Sequence, residues 1–399
     1  MRDESDATSI DARQEIAMGN PLLEIRKYGQ SIWYDNIRRG IITSGQLQSM
    51  IDDDGLRGIT SNPAIFEKAV VESHDYDHAM KALVLQGVGS AVDIYERLAI
   101  EDIQWASDLM HGVYDESNGR DGYVSFEVAP ALANDTKATV EYARRVHFQI
   151  GRENVLIKVP GTPEGMPAIT QLIGDGISVN VTLLFAVEAY EACADAYMEG
   201  LEKYAASGRN PGRVASVASF FISRIDSLVD DMLQKLLDRT SDAAKRKQIE
   251  GLFGRVAVAN GVLAYERYKK LTATDRWRAL AAKGAQTQRV LWASTSTKNP
   301  KYPKTKYVDE LIAPDTVNTI PEETFVEYRK SGKPGPGLAE SWERHLASAN
   351  EVMASLEAVG ISMKEVTDQL LRDGIKKFID PFDKLISSIE NKRRMLQAA

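Results

Sequence analysis

Short runs of β-branched and aromatic residues recur along the chain, each too brief for a helix and most followed by apolar residues at three- and four-residue spacing. The runs are 31–37 (SIWYDNI), 58–62 (GITSN), 123–128 (YVSFEV), 154–159 (NVLIKV), 177–185 (ISVNVTLLF), 214–221 (VASVASFF), 289–295 (RVLWAST) and 315–320 (DTVNTI). Between them, 136–151, 163–176 and 245–271 carry an amphipathic helical pattern. Strands alternating with helices predict βα units and a parallel sheet. Eight such units are what a closed (β/α)8 barrel, the TIM barrel, requires. An open doubly wound sheet is the alternative, but no G-x-G-x-x-G follows the first run.

The 399 residues exceed the roughly 250 of a plain barrel. The excess falls in a helical lead-in over about 1–30, an excursion over about 64–120, and a C-terminal helical region over about 321–399. These read as decorations on one domain spanning 1–399, with SGKPGPG (331–337) as a loop between helices.

Composition narrows the function classes. With 43% hydrophobic residues a large core is available. There are 49 basic and 57 acidic residues, a net charge of -8, and no Lys/Arg stripe interleaved with aromatics, so nucleic acid is not an expected partner. The opening MRDESDATSIDARQEIA is charged where a signal peptide needs an apolar stretch, and no run of about 18 apolar residues occurs. A soluble, cytoplasmic protein with no membrane partner is expected. The one cysteine, Cys193, excludes an intrachain disulfide and a cysteine zinc site, and its helical context predicts a small core residue. His74 and His78 read as a surface helix start, since no H-E-x-x-H occurs, and no metal or cofactor is expected.

The polar residues that interrupt the strand runs carry the functional signal. Lys158 sits inside LIKVP, where an ammonium is costly to desolvate and an unprotonated amine is a nucleophile that makes Schiff bases. In a barrel, catalytic groups gather at the C-terminal strand ends. Asp35, Asn62, Glu127 and Lys158 fall near the ends of the first four runs. Asn180 with Thr182, and Ser219 with Phe221, share a strand face on the fifth and sixth. Each has a plain reading taken singly: Asp35 as a helix cap, Asn62 before Pro63 as a turn residue, Thr182 as strand propensity. Their coincidence at six strand ends predicts one polar cavity.

GITSNPAIFEKA (58–69), NVLIKVPGTPEGMPAI (154–169), ISVNVTLLF (177–185) and VASVASFFISRID (214–226) resemble the signature segments of the transaldolases, in their longer bacterial form. That resemblance runs from about residue 20 to the C-terminus. It implies a Schiff-base enzyme on an (α/β)8 barrel, without cofactor or metal, acting on phosphorylated sugars. Such an enzyme moves a dihydroxyacetone unit from sedoheptulose 7-phosphate or fructose 6-phosphate to an aldose phosphate, in the non-oxidative pentose phosphate pathway. The resemblance places the Schiff-base lysine at Lys158, the acid/base aspartate at Asp35, and the glutamate that works with a water and a threonine at Glu127 and Thr182. It places the amides that hold the three-carbon unit at Asn62 and Asn180, and the segment lining the phosphate end at Ser219, Phe221 and Arg224. One departure is visible: where shorter transaldolases carry a second phosphate-binding arginine after the seventh strand, this chain reads ASTSTKNP, and Lys298 is the substitute candidate. Two rival readings are an aldolase that releases free dihydroxyacetone and a non-catalytic sugar-phosphate binding protein. The related fructose 6-phosphate aldolases carry glutamine at the position of Glu127. Binding alone needs no acid/base pair.

Overall fold

A computed structural model describes residues 19–398. Each of the eight runs becomes a strand: β1 (Gln30–Tyr34), β2 (Gly58–Ile59), β3 (Tyr123–Glu127), β4 (Val155–Pro160), β5 (Val179–Leu184), β6 (Ser216–Phe221), β7 (Arg289–Ala293) and β8 (Thr316–Ile320). All pairings are parallel and follow chain order, and β8 closes on β1, giving the TIM barrel. Every strand residue is buried, because the barrel interior covers one face and the surrounding helices cover the other. β2 is shorter than its run. After Ile59 the chain turns out at Asn62, which caps helix Pro63–Glu72 with Pro63 in the first turn. Gly58 is required here, since a Cβ would sit 2.4 Å from the Trp33 ring.

The amphipathic stretches become helices Thr136–Ile150 and Gly165–Asp175, but 245–271 divides into Ala243–Glu250 and Val256–Thr272. The division has a physical cause. Asp226 and Asp230, on helix Ser223–Arg239, accept backbone N–H bonds from Ala257 at 2.7 Å and Gly254 at 3.0 Å, drawing the turn inward. Tyr307 and Tyr302 donate to the same two aspartates, so this acidic segment ties helices together. Cys193 is fully buried on helix Val187–Ala206, and burial pushes its thiol up to about 12, which suits an inert core residue.

The barrel floor is closed by charge rather than by packing alone. Asp121 accepts from Ser31, Trp33 and Arg289 at 2.8–3.1 Å, and Arg57 lies 3.6 Å away. Burial alone would raise the Asp121 carboxyl, but Arg289, Ser31 and Arg57 outweigh it and hold the carboxyl below its ordinary value.

Of the expected lead-in, helix Pro21–Glu24 is seen, and residues 1–18 lie outside the described residues. The excursion after β2 forms helices Pro63–Glu72, Asp77–Leu85 and Ala91–Glu116. The C-terminal region forms Glu322–Ser331, Trp342–Ala358 and a last helix, Met363–Ala398, with Pro381 inside it. That last helix packs on the three excursion helices, the segment Pro130–Leu132 after β3, β5, and helix Ser223–Arg239. Its Gly374 approaches Leu183 at the end of β5, and its Phe378 ring centroid lies 5.8 Å from Lys158 Nζ toward the end of β4, so the last helix lies across the barrel mouth. Among the described residues no helix is long and apolar enough to cross a membrane.

Candidate active site

Strand register sets the chemistry. Glu127 on β3 pairs with Lys158 on β4, which pairs with Asn180 on β5. Neighbouring strands lie about 4.8 Å apart and paired residues share a face, so a carboxylate, an amine and an amide line the interior side by side. Lys158 Nζ donates to the Ser61 carbonyl at 3.0 Å and lies 3.4 Å from Glu127 Oε2. Both residues are buried, at 5% and 6% exposure.

Neither oxygen of Glu127 has a hydrogen-bond partner, and the same holds for the buried Thr182 hydroxyl. Unpartnered buried polar groups are costly and recur where a ligand or water is handled. Burial raises the Glu127 carboxyl to about 7 against the pull of Lys158. A group with that value both gives and takes a proton at neutral pH.

Asn180 is fixed from both ends: its Nδ2 donates to Ser125 Oγ at 3.0 Å and its Oδ1 accepts from Ser219 Oγ at 2.7 Å. Ser219 thus turns toward the amide rather than toward Arg224. At the end of β5 the register with β6 shifts between Val181 and Leu184, and Leu183 adopts a φ of 61°. A bulky residue pays steric strain in that region, and such bulges re-aim chains beside active sites. Thr182 stands directly before it.

Asp35 follows β1, and its backbone N–H donates to Ile320 O at 2.9 Å. Its Oδ1 accepts from the Thr60 hydroxyl at 2.7 Å, and Thr60 in turn lies 2.6 Å from Thr319 Oγ1. The next helix starts at Arg39 with Arg38 at its N-cap, so Asp35 is not a helix cap. Asn62 is one: its Oδ1 accepts from Ile65 N at 3.1 Å. That bond uses the oxygen and leaves the Nδ2 donors to other partners.

Phe221 and Arg224 mark one side of the mouth. The Arg224 guanidinium lies 5.0 Å from the Phe221 ring centroid, its Nη1 is buried without a partner, and burial lowers its pKa. Lys298, after β7, is exposed and donates to Ser296 Oγ at 2.6 Å. Its pKa is lowered, first by desolvation and then by repulsion from Arg224, which places the two cations within each other's field.

Sequence reasoning missed Thr60, Ser61, Ser125 and Phe378. Ser125 stands two residues before Glu127 on β3, the same-face spacing that identifies such a neighbour, whereas Thr60 lies just beyond the end of β2. Ser61 contributes through its backbone, and Phe378 arrives from the last helix, 5.8 Å from Lys158 Nζ to ring centroid; neither leaves a local signal. A groove of about 1140 Å³ lies elsewhere, between helices Val256–Thr272 and Trp342–Ala358 and the start of the last helix. None of the ten candidate residues lines it.

Known proteins resemble this chain over nearly its whole length. The family model Transaldolase/Fructose-6-phosphate aldolase matches residues 32–389. A transaldolase of Trichodesmium erythraeum is 49% identical over 94% of this chain and 98% of its own. Transaldolase 2 of Nostoc punctiforme is 47% identical over 94% and 98%, and a transaldolase of Frankia alni 44% over 93% and 97%. The matched range 32–389 runs from within β1 through β8 and into the last helix, and so takes in the strands that carry Glu127, Lys158 and Asn180: the chain belongs to the transaldolase/fructose-6-phosphate aldolase family.

Proposed function

We propose that the chain is a transaldolase, moving a dihydroxyacetone unit between ketose and aldose phosphates through a Schiff base on Lys158. In the physiological direction sedoheptulose 7-phosphate and glyceraldehyde 3-phosphate become erythrose 4-phosphate and fructose 6-phosphate. The enzyme works in the cytoplasm as one unit over residues 1–399, with no metal or cofactor. The observation that carries the reading is the inward layer of Glu127, Lys158 and Asn180, with the Glu127 carboxyl raised to about 7 and free of hydrogen-bond partners.

The unprotonated amine of Lys158 adds to the ketose C2 carbonyl. Loss of water from the carbinolamine needs a proton, and Glu127 supplies it through a water shared with the Thr182 hydroxyl. Asp35 takes the C4 hydroxyl proton, the C3–C4 bond breaks, and its electrons move into the iminium. An aldose phosphate departs and a three-carbon enamine remains, its hydroxyls held by Asn62 and Asn180. Addition to a second aldose phosphate reverses these steps. Arg224 and Lys298 receive the phosphate, which reconciles an anionic substrate with a protein of net charge -8.

Borohydride reduction with fructose 6-phosphate, followed by intact-mass measurement, tests the reading. A reduced three-carbon adduct is expected, and an unchanged mass overturns it. The rival aldolase reading is weighed against by Glu127 itself, since those enzymes carry glutamine there.

Two variants divide the work. Glu127→Gln cannot shuttle a proton, so single-turnover imine formation slows by roughly 100-fold. In the wild type that rate falls as pH rises through about 7, where Glu127 loses the proton it delivers. The variant loses this break; a retained break removes Glu127 from the role. Arg224→Ala removes a charge-assisted contact equally from ground and transition states. KM for phosphorylated sugars rises by roughly 10–100-fold while kcat is held, and a fall in kcat at constant KM assigns Arg224 to the chemistry instead.

A further inference from the structure

Asp35 is held on one side by a short chain of hydroxyls. Its Oδ1 accepts from Thr60 Oγ1 at 2.7 Å, and Thr60 Oγ1 lies 2.6 Å from Thr319 Oγ1. Thr319 stands on β8 in register with Trp33, while Thr60 lies just beyond β2, its backbone N–H donating to Tyr34 O at 2.9 Å. The two threonines thus come from either side of β1 and meet beside the carboxylate that follows it. Both are buried, so bulk water does not compete for their hydroxyls. Counting protons fixes the direction of the chain. A hydroxyl has one proton to give, and an ionised carboxylate only accepts. Thr60 gives its proton to Asp35, so Thr319 donates to Thr60. Among the described residues, no side chain other than Thr60 donates a hydrogen bond to the Asp35 carboxylate, and Oδ2 is left to the cavity.

The geometry points to Thr319 and Thr60 as positioning residues for the base: they keep Oδ1 occupied, so that Oδ2 takes the proton from the donor's C4 hydroxyl and returns it to the carbonyl oxygen of the acceptor aldose. This rests on the reading of Asp35 as the base, and adds which oxygen works and what holds it. The terminal torsion of an aspartate is broad, with no staggered well to fix the carboxyl plane, so a hydrogen bond has to fix it. Threonine suits the task because branching at Cβ stiffens χ1 and sets where its hydroxyl lies. In cleavage the C4 O–H bond breaks, its proton goes to Oδ2, and the C3–C4 electron pair enters the iminium. In addition the enamine forms the new C–C bond to the aldose carbonyl carbon, and the same proton passes from Oδ2 to the oxygen that bond leaves negative. A proton on Oδ1 instead would require both hydroxyls to reverse.

The test is borohydride trapping with fructose 6-phosphate, read by intact mass as the ratio of six-carbon to three-carbon adduct. Protein that fails to fold traps neither, so a merely structural role for the threonines does not move this ratio. Thr60→Val keeps nearly the same shape without the donor. It is expected to lower kcat by at least about tenfold, as a misplaced catalytic group does, with KM within about threefold, and to raise the ratio by at least about tenfold. Thr60→Ser keeps the donor and is expected to stay within about threefold of wild type in kcat and ratio. Thr319→Val shifts both the same way by about threefold, and adds nothing in the Thr60→Val background because it acts through Thr60. It carries the test if Thr60→Val does not fold. An unmoved ratio in the valine variants, serine as impaired as valine at position 60, or additive losses in the double variant overturns the proposal. Asp35→Asn separates the two failures: a three-carbon adduct there refutes Asp35 as the base, whereas a six-carbon adduct there with unmoved ratios in the threonine variants refutes only the role of Thr60 and Thr319.

Discussion

Lys158→Met is expected to abolish transfer, lowering kcat by on the order of 10⁴-fold or more, the scale on which loss of a covalent nucleophile registers. Methionine fills nearly the same volume but has no amine, so borohydride and fructose 6-phosphate leave its mass unchanged. The fold survives for a reason visible in the site. Glu127 is raised to about 7 even with Lys158 beside it, and Lys158 acts on it in the lowering direction. Removing the cation moves the carboxyl further up, so at pH 7 it is protonated and neutral rather than left as an uncompensated buried charge. Normal circular dichroism with no adduct and no turnover is the expected combination. Residual transfer with a trapped adduct places the Schiff base on another lysine.

The barrel was legible in the sequence because its strands are buried on both faces, and such strands appear as short apolar runs whatever their order. The site was legible for the complementary reason. Lys158, Asn180, Thr182 and Ser219 are polar residues placed where burial otherwise selects apolar ones, and same-face spacing groups them. Three features lay beyond that logic. The Leu183 bulge carries no glycine to announce it. The break between Ala243–Glu250 and Val256–Thr272 depends on two aspartates from a different helix. The amphipathic pattern of Met363–Ala398 predicts that one face is buried but not what it is buried against. Read as a decoration, that helix is instead the roof of the site.

Asp35→Asn separates the base from the nucleophile, since their tasks follow one another. The variant keeps Lys158 and the surrounding cavity, so imine formation proceeds. An amide cannot take the C4 hydroxyl proton, so the C3–C4 bond stays intact and turnover falls by roughly 10³-fold. Asparagine preserves the local geometry, because the Thr60 hydroxyl that donates to Asp35 Oδ1 at 2.7 Å can donate equally to an amide oxygen. A change in trapped species is therefore a statement about proton transfer and not about packing. Wild type cleaves and loses the aldose, and borohydride captures mostly a three-carbon adduct. Asp35→Asn is expected to yield the adduct of the whole six-carbon sugar phosphate. Intact mass distinguishes the two directly, and a three-carbon adduct in the variant means that another group removes the proton and that Asp35 serves only to hold Thr60 and Thr319 at the rim of the barrel.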